Sequence, residues 1–270
     1  MRIPVAKYHG CGNDFVLVRA SWVQDRDPAA LARTLCERHT GIGADGLIIV
    51  KEDPLEMIFY NQDGSRAPMC GNGIRCFAAY CRDQGIEQRA YYAVQTLAGI
   101  QQVHVRTETP FQVEIDMGMP KEDRSLIGIA SPIWGQKIPL DGGVCVQAYS
   151  LFMGTIHTVV FSDDPAGDAK RIGASLCAHP LYAYGTNVNF VQILDEETMR
   201  VCTYERGCGV TLACGSGACA SLVCAHRLGK MSAHATVCLE KGTLDITIQA
   251  DGHVCMSGPA VRIMEGEMII

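Results

Sequence analysis

The chain has 270 residues, 48% of them hydrophobic and 19% charged, and a formal net charge of −6 at pH 7. That apolar content suits one large domain or two small ones and excludes a disordered chain. The mild acidity lacks the clustered basic excess of a nucleic-acid binder, and no apolar run approaches the roughly 18 residues of a membrane span. The opening residues Met1-Arg2-Ile3-Pro4-Val5-Ala6-Lys7 contain no apolar signal core, so a cytoplasmic protein without a secretory leader is expected.

In chain order, the first β-rich run is 15–18. Asp27-Pro28 then pairs an N-cap with proline at the first helical position, predicting a helix that runs to Gly41. Strands are predicted at 47–50 and 57–60, and a helix over 72–84 closed by Gly85. A strand follows at 113–115, with another at 158–161. Asp164-Pro165 opens a further helix by the same cap logic. Strands at 188–191 and 244–248 flank a helix over 216–228 closed by Gly229. The helices at 72–84 and 216–228 are apolar or small nearly all round, which predicts burial inside a domain.

Fourteen cysteines are the compositional oddity. Without a secretory signal they are not expected to form disulfides, and no C-x2-C pair suggests zinc. About ten or more are expected to be small buried hydrophobes. Cys76, Cys81, Cys208, Cys219 and Cys224 are read as packing residues. Cys70 and Cys214 differ: Cys70-Gly71-Asn72-Gly73 and Cys214-Gly215-Ser216-Gly217 each open a buried helix, 144 residues apart. The same offset carries Tyr60-Asn61 onto Tyr204-Glu205, so each cysteine follows a β-run ending in Tyr and a polar residue. The chain therefore reads as two similarly built α/β halves.

A thiol at a helix N-terminus sits beside outward N–H groups and the positive end of the helix dipole, which favour thiolate and hold an anion. Two such thiols suit inversion at an acidic carbon, one removing a proton and the other returning one to the opposite face. The helix-end N–H groups would stabilise the enediolate-like charge. No phosphate-loop or dinucleotide fingerprint accompanies them.

These motifs resemble those of the diaminopimelate epimerases, cofactor-independent enzymes of lysine and peptidoglycan biosynthesis. The resemblance spans essentially the whole chain. It rests on Lys7-Tyr8-His9-Gly10-Cys11-Gly12-Asn13-Asp14-Phe15, Gly41-Ile42-Gly43-Ala44-Asp45-Gly46, Asn61-Gln62-Asp63-Gly64-Ser65, Met69-Cys70-Gly71-Asn72-Gly73-Ile74-Arg75-Cys76, Thr186-Asn187-Val188, Tyr204-Glu205-Arg206-Gly207 and Ala213-Cys214-Gly215-Ser216-Gly217. It implies an α/β (α+β) fold of two pseudo-symmetric domains, each a curved mixed sheet wrapped around a central helix. The expected domains are 1–117 plus 259–270, carrying Cys70, and 118–258, carrying Cys214, with the active site in the cleft between them.

The resemblance also implies roles. Cys70 and Cys214 match the acid/base pair, and Glu205 and His157 the groups that tune their protonation. Gly71, Asn72, Gly215 and Ser216 match the backbone donors to the reacting carboxylate, with Asn13 beside them. Asn61, Asn187 and Arg206 match the holders of the distal amino acid end, where a guanidinium suits a carboxylate. No metal or other cofactor is implied; the expected partners are a small amino-acid substrate and a second copy of the chain, with no nucleic acid and no membrane.

Four positions depart from the family pattern. Thr155-Ile156 stands where Asn-Pro is usual before His157, so Thr155 would face the reacting end with a hydroxyl in place of an amide. Gly46 stands where some members carry a substrate-facing Gln, and Val210 where Glu is frequent. A racemase of another amino acid, such as histidine, is the alternative on the same scaffold. A thiol-rich redox or zinc protein is the alternative from another class, and a phenazine-type isomerase of the same broad fold is disfavoured by the paired cysteines.

Overall fold

The computed structural model describes residues 2–269. The chain divides into two compact units, Met1–Ile115 with Ser257–Ile270, and Asp116–Met256. Both are mixed α/β, the fold class read from the sequence.

In the first unit, β1 (Arg2–Gly10) and β2 (Asn13–Arg19) form an antiparallel hairpin. Its turn holds Cys11 and Gly12 at φ +54° and +91°. Helix α1 (Pro28–Cys36) is the crossover to β3 (Gly46–Lys51), which runs parallel to β2. β4 (Glu56–Asn61) pairs antiparallel with β3 and with the short β5 (Arg66–Ala67). Helix α2 (Gly71–Asp83) follows, then β6 (Tyr91–Thr96), β7 (Gly99–Glu108) and β8 (Phe111–Asp116).

The second unit opens with α3 (Arg124–Ile127) and β9 (Trp134–Pro139), then repeats the same order. β10 (Cys145–Phe152) and β11 (Ile156–Phe161) form the hairpin, and α4 (Pro165–Cys177) crosses to β12 (Asn187–Ile193), parallel to β11. β13 (Thr198–Glu205) and β14 (Gly209–Thr211) follow antiparallel and feed α5 (Gly215–Arg227). β15 (His234–Leu239), β16 (Gly242–Ile248) and β17 (Val254–Pro259) complete the repeat. The last strand, β18 (Val261–Ile269), pairs with β1, just as β9 pairs with β10 in the second unit.

Sequence periodicity accounts for the packing. Strands β2 and β3 are buried on both faces because each lies between two helices. Helix α1 covers one face with Leu31 and Leu35 against Val16, Val18, Leu47 and Ile49, and α4 does the same with Ile172 and Leu176 against Val160, Val188 and Phe190. Helix α2 packs on β1, β2, β3, β4 and β18, with residues 72–81 all buried. Helix α5 is equally enclosed and has residues 217–225 buried. Gly85 and Gly229 close these two helices at φ +68° and +67°, the left-handed conformation that suits glycine.

Helix α1 stops at Cys36, short of the expected Gly41. Glu37 takes an extended ψ of 128°, and its carboxylate accepts the N–H groups of His39 and Thr40 at 2.6 and 2.5 Å. Helix α3 was not expected from periodicity, being a single turn; Asp123 caps it and Gly128 closes it at φ +72°. Eight of the cysteines are buried, fewer than the ten or more expected. Cys202, Cys238 and Cys255 lie on half-exposed strand positions and Cys145 is exposed. Cys208 is exposed in the turn between β13 and β14, so the packing role read for it from helical spacing is corrected. Cys76, Cys81, Cys219 and Cys224 are fully buried, as expected.

Candidate active site

Cys70 is the N-cap of α2. Its extended backbone, φ −137° and ψ 122°, turns the chain out of the helix, and its sulfur accepts the Gly73 N–H at 3.4 Å. Glycine leaves this turn uncrowded: a Cβ on Gly73 would lie 3.3 Å from both the Cys70 Cβ and Ile48 Cδ1. The thiol in turn donates to Asn13 Oδ1 at 3.7 Å. Asn72 Nδ2 donates to the same oxygen at 3.1 Å.

Asn13 is held in that orientation from behind. Its Nδ2 donates to Asp45 Oδ2 at 2.6 Å, and Asp45 is paired with Arg38 at 2.8 Å. Arg38 also binds Asp14, which pairs with Lys7 at 2.8 Å. These cations hold the Asp14 carboxyl below the usual range against the opposing effect of its burial. Asn72 is fixed by Arg75, fully buried, whose guanidinium donates to Asn72 Oδ1 at 3.0 Å and to the Gly71 carbonyl at 3.1 Å. Arg75 lies within a quoted motif but received no role from sequence.

Cys214 is the N-cap of α5 with a similarly extended backbone, φ −127° and ψ 104°. It is buried, and burial followed by the Glu205 charge raises its thiol well above the ordinary pKa. The Gly217 N–H and the Ser216 hydroxyl oppose that rise. Ser216 Oγ lies 3.7 Å from the sulfur and 3.0 Å from His157 Nε2. His157 is fully buried, and desolvation pushes its pKa down to about 3, so the imidazole is neutral at working pH. It therefore belongs both to the core and to the hydrogen-bonded chain that reaches Cys214. Glu205 accepts the Thr211 hydroxyl at 2.6 Å.

The other expected residues fall in three places. Asn187 Oδ1 accepts the Arg206 backbone N–H at 2.9 Å, and the Arg206 guanidinium donates to the Tyr184 carbonyl. Asn61, in the first unit, donates from Nδ2 to Ser65 Oγ at 2.9 Å and organises the turn after β4. Thr155 is half-buried in the β10–β11 turn, two residues before His157, and its carbonyl accepts the Met153 N–H at 2.8 Å. At Gly46 a Cβ would come within 2.5 Å of Phe59 Cε2, so the aromatic ring occupies the space a Gln would need.

Two further residues were missed. Asn189 bonds His157 Nδ1 at 3.1 Å, and Thr203 donates to Asn189 Oδ1 at 3.0 Å. The available signal was an amide inside the apolar run Val188-Asn189-Phe190, which demands a buried partner. Among the described residues, no group of three or more His, Cys, Asp or Glu is placed to hold a metal ion. No helix among them is long and apolar enough to cross a membrane.

Comparison with known proteins identifies the family. The sequence model of the diaminopimelate epimerase family matches residues 5–122 and 149–263. A diaminopimelate epimerase of Moorella thermoacetica is 41% identical over 97% of this chain and 97% of its own. One of Alkaliphilus metalliredigens is 38% identical over 98% and 97%. Among solved structures, a hydroxyproline epimerase of Agrobacterium vitis shares the fold with a TM-score of 0.70 at 14% identity, covering 99% of this chain and 92% of its own. Two helix-end cysteines in repeated units and full-length similarity at this level lead to one conclusion: the chain belongs to the diaminopimelate epimerase family.

Proposed function

We propose that the chain interconverts LL- and meso-diaminopimelate, with Cys70 and Cys214 acting on opposite faces of one α-carbon and with no pyridoxal phosphate or metal. One cysteine, as thiolate, takes the α-proton and becomes a thiol. The electron pair moves into the substrate carboxylate, held by first-turn N–H groups of Gly71 and Asn72 and of Gly215 and Ser216. The other cysteine gives its proton to the opposite face of the carbon and becomes the thiolate. Each turnover thus leaves the pair in the inverse protonation state, ready for the reverse reaction.

Burial disfavours a thiolate at Cys214. Glu205 faces that thiol, so it is the base that accepts the proton when Cys214 must ionise, while Ser216 supplies a hydrogen bond to the sulfur. At the distal end, the planar guanidinium of Arg206, placed beside Asn187, binds the second carboxylate of diaminopimelate. Asn61 assists from the turn it organises. The exposed Val261, Ile263 and Ile269 on β18 support a homodimer, and a cytoplasmic enzyme is the reading that suits a role in lysine and peptidoglycan biosynthesis.

The observation that carries this reading is the pair of cysteine-capped helices 144 residues apart, each with its own hydrogen-bonded set, in a chain of this family. Thr155-Ile156 favours one competing reading, a racemase of another polar amino acid. Proton exchange at Cα in deuterated water, run side by side on LL-diaminopimelate and on histidine, decides between them. Exchange with histidine and none with diaminopimelate would reject the substrate while leaving the thiol mechanism standing.

A further inference from the structure

The side chain of Asn189 cannot be turned over. Its Nδ2 faces the Thr158 carbonyl at 3.4 Å, a group that only accepts. Its Oδ1 receives the Thr203 hydroxyl at 3.0 Å. Reversing the amide would set carbonyl oxygen against carbonyl oxygen in a buried site. Gly217 makes room for this, since a Cβ there would lie 2.2 Å from Asn189 Oδ1.

The second hydrogen of that Nδ2 faces His157 Nδ1 at 3.1 Å. An N–H donor requires a lone pair on Nδ1, so the single proton of the neutral ring sits on Nε2. Nε2 is 3.0 Å from Ser216 Oγ. A hydroxyl that accepts from the ring keeps its own hydrogen for another acceptor, and the Cys214 sulfur lies 3.7 Å away.

We propose that Asn189 is a positioning residue: by holding His157 in its Nε2–H form it aims the Ser216 hydroxyl at Cys214 and stabilises the Cys214 thiolate. The catalytic consequence rests on the epimerase reading above. The proton arrangement itself is measured without substrate, so failure of one is separable from failure of the other.

The test uses the full-length protein labelled with 15N-histidine and two isosteric variants. In the wild type, the His157 nitrogen shifts should show an unprotonated Nδ1 and a protonated Nε2. Asn189→Leu removes the donor, releases the tautomer and lets Ser216 turn toward the ring. Asn189→Asp sets a carboxylate against Nδ1, so His157 takes a second proton and becomes a cation on the Cys214 side. Glu205 is the other charged group that faces Cys214, and both variants retain it. Alkylation of Cys214 by iodoacetamide, followed by mass spectrometry across pH, reads the thiol. Its midpoint should rise by about one pH unit in Asn189→Leu, a roughly tenfold lower rate at fixed pH, as loss of a hydrogen bond to a charged sulfur requires. It should fall in Asn189→Asp. A merely structural amide would make both variants move the midpoint the same way or leave it unmoved. Either result, or a protonated Nδ1 in the wild type, overturns the proposal.

Discussion

Asn13 presents its carbonyl oxygen directly to Cys70 at 3.7 Å, whereas His157, 144 residues on, reaches Cys214 only through Ser216. The two units thus give their cysteines unlike neighbours from like positions: an amide oxygen that accepts from the Cys70 thiol, and a hydroxyl placed to donate to the Cys214 sulfur. An enzyme that must start from one acid and one base has use for that asymmetry.

Cys70→Ala and Cys214→Ala should each abolish epimerisation of diaminopimelate. Cys76→Ala and Cys224→Ala, deep in α2 and α5, should retain turnover and lose roughly 1–2 kcal/mol of stability from the emptied volume. Epimerisation kinetics and urea unfolding on the four variants check both halves. Near-normal turnover in either of the first pair would end the two-base mechanism.

Arg206→Met should lower diaminopimelate kcat/KM about a hundredfold, from the roughly 2–3 kcal/mol of a charge-assisted contact to the distal carboxylate. Thr155→Asn, which restores the usual family residue, should keep or raise that activity. Steady-state kinetics on both variants provide the check, and unchanged turnover in Arg206→Met would remove the distal role.

His157 gives the protein a pH signature. Its pKa falls from 6.5 unfolded to about 3 folded because burial penalises the charged ring. The unfolded chain therefore binds the extra proton between those values, so stability is complete above pH 6.5 and drains as pH falls toward 3. The unfolding free energy should carry a slope of up to about 1.4 kcal/mol per pH unit from this group. In His157→Gln, denaturant titrations from pH 6.5 to 4 should show that contribution gone. An unchanged slope would mean that the ring is charged in the fold.

Gly217→Ala should destabilise the second unit by about 1–3 kcal/mol through overpacking, because the new methyl would sit 2.2 Å from Asn189 Oδ1. It should also disturb the amide that faces His157. Calorimetry and the 15N-histidine spectrum measure the two effects; a neutral substitution would show that Asn189 has room to move.

Much of this was legible in the sequence because local chemistry is written locally. Asp27-Pro28 and Asp164-Pro165 start helices wherever the rest of the chain lies, and both cysteine turns announce buried helices within one residue of their observed starts. The pairing of β1 with β18 was invisible, since no periodicity links residues so far apart. Arg75 and Asn189 were missed for a related reason: a buried polar group is defined by the partners that satisfy it, and these include groups from other elements, the Pro259 carbonyl for Arg75 and the Thr158 carbonyl for Asn189. Asn61 was read for a role at the substrate, and its observed bond is to Ser65, four residues away.

The pairing of Arg2 with Ile269 makes the first strand and the last strand neighbours. During synthesis β1 is made before the whole of the second unit and waits for β18, its nine-residue partner, until that unit's residues have been joined. The continuous stretch 116–256 is by then already synthesised. A stop codon after Pro259 would therefore spare every residue of the unit that carries Cys214 and strip an edge from the unit that carries Cys70. The codons for β18, far from either cysteine codon, govern the completion of the unit that contains β1.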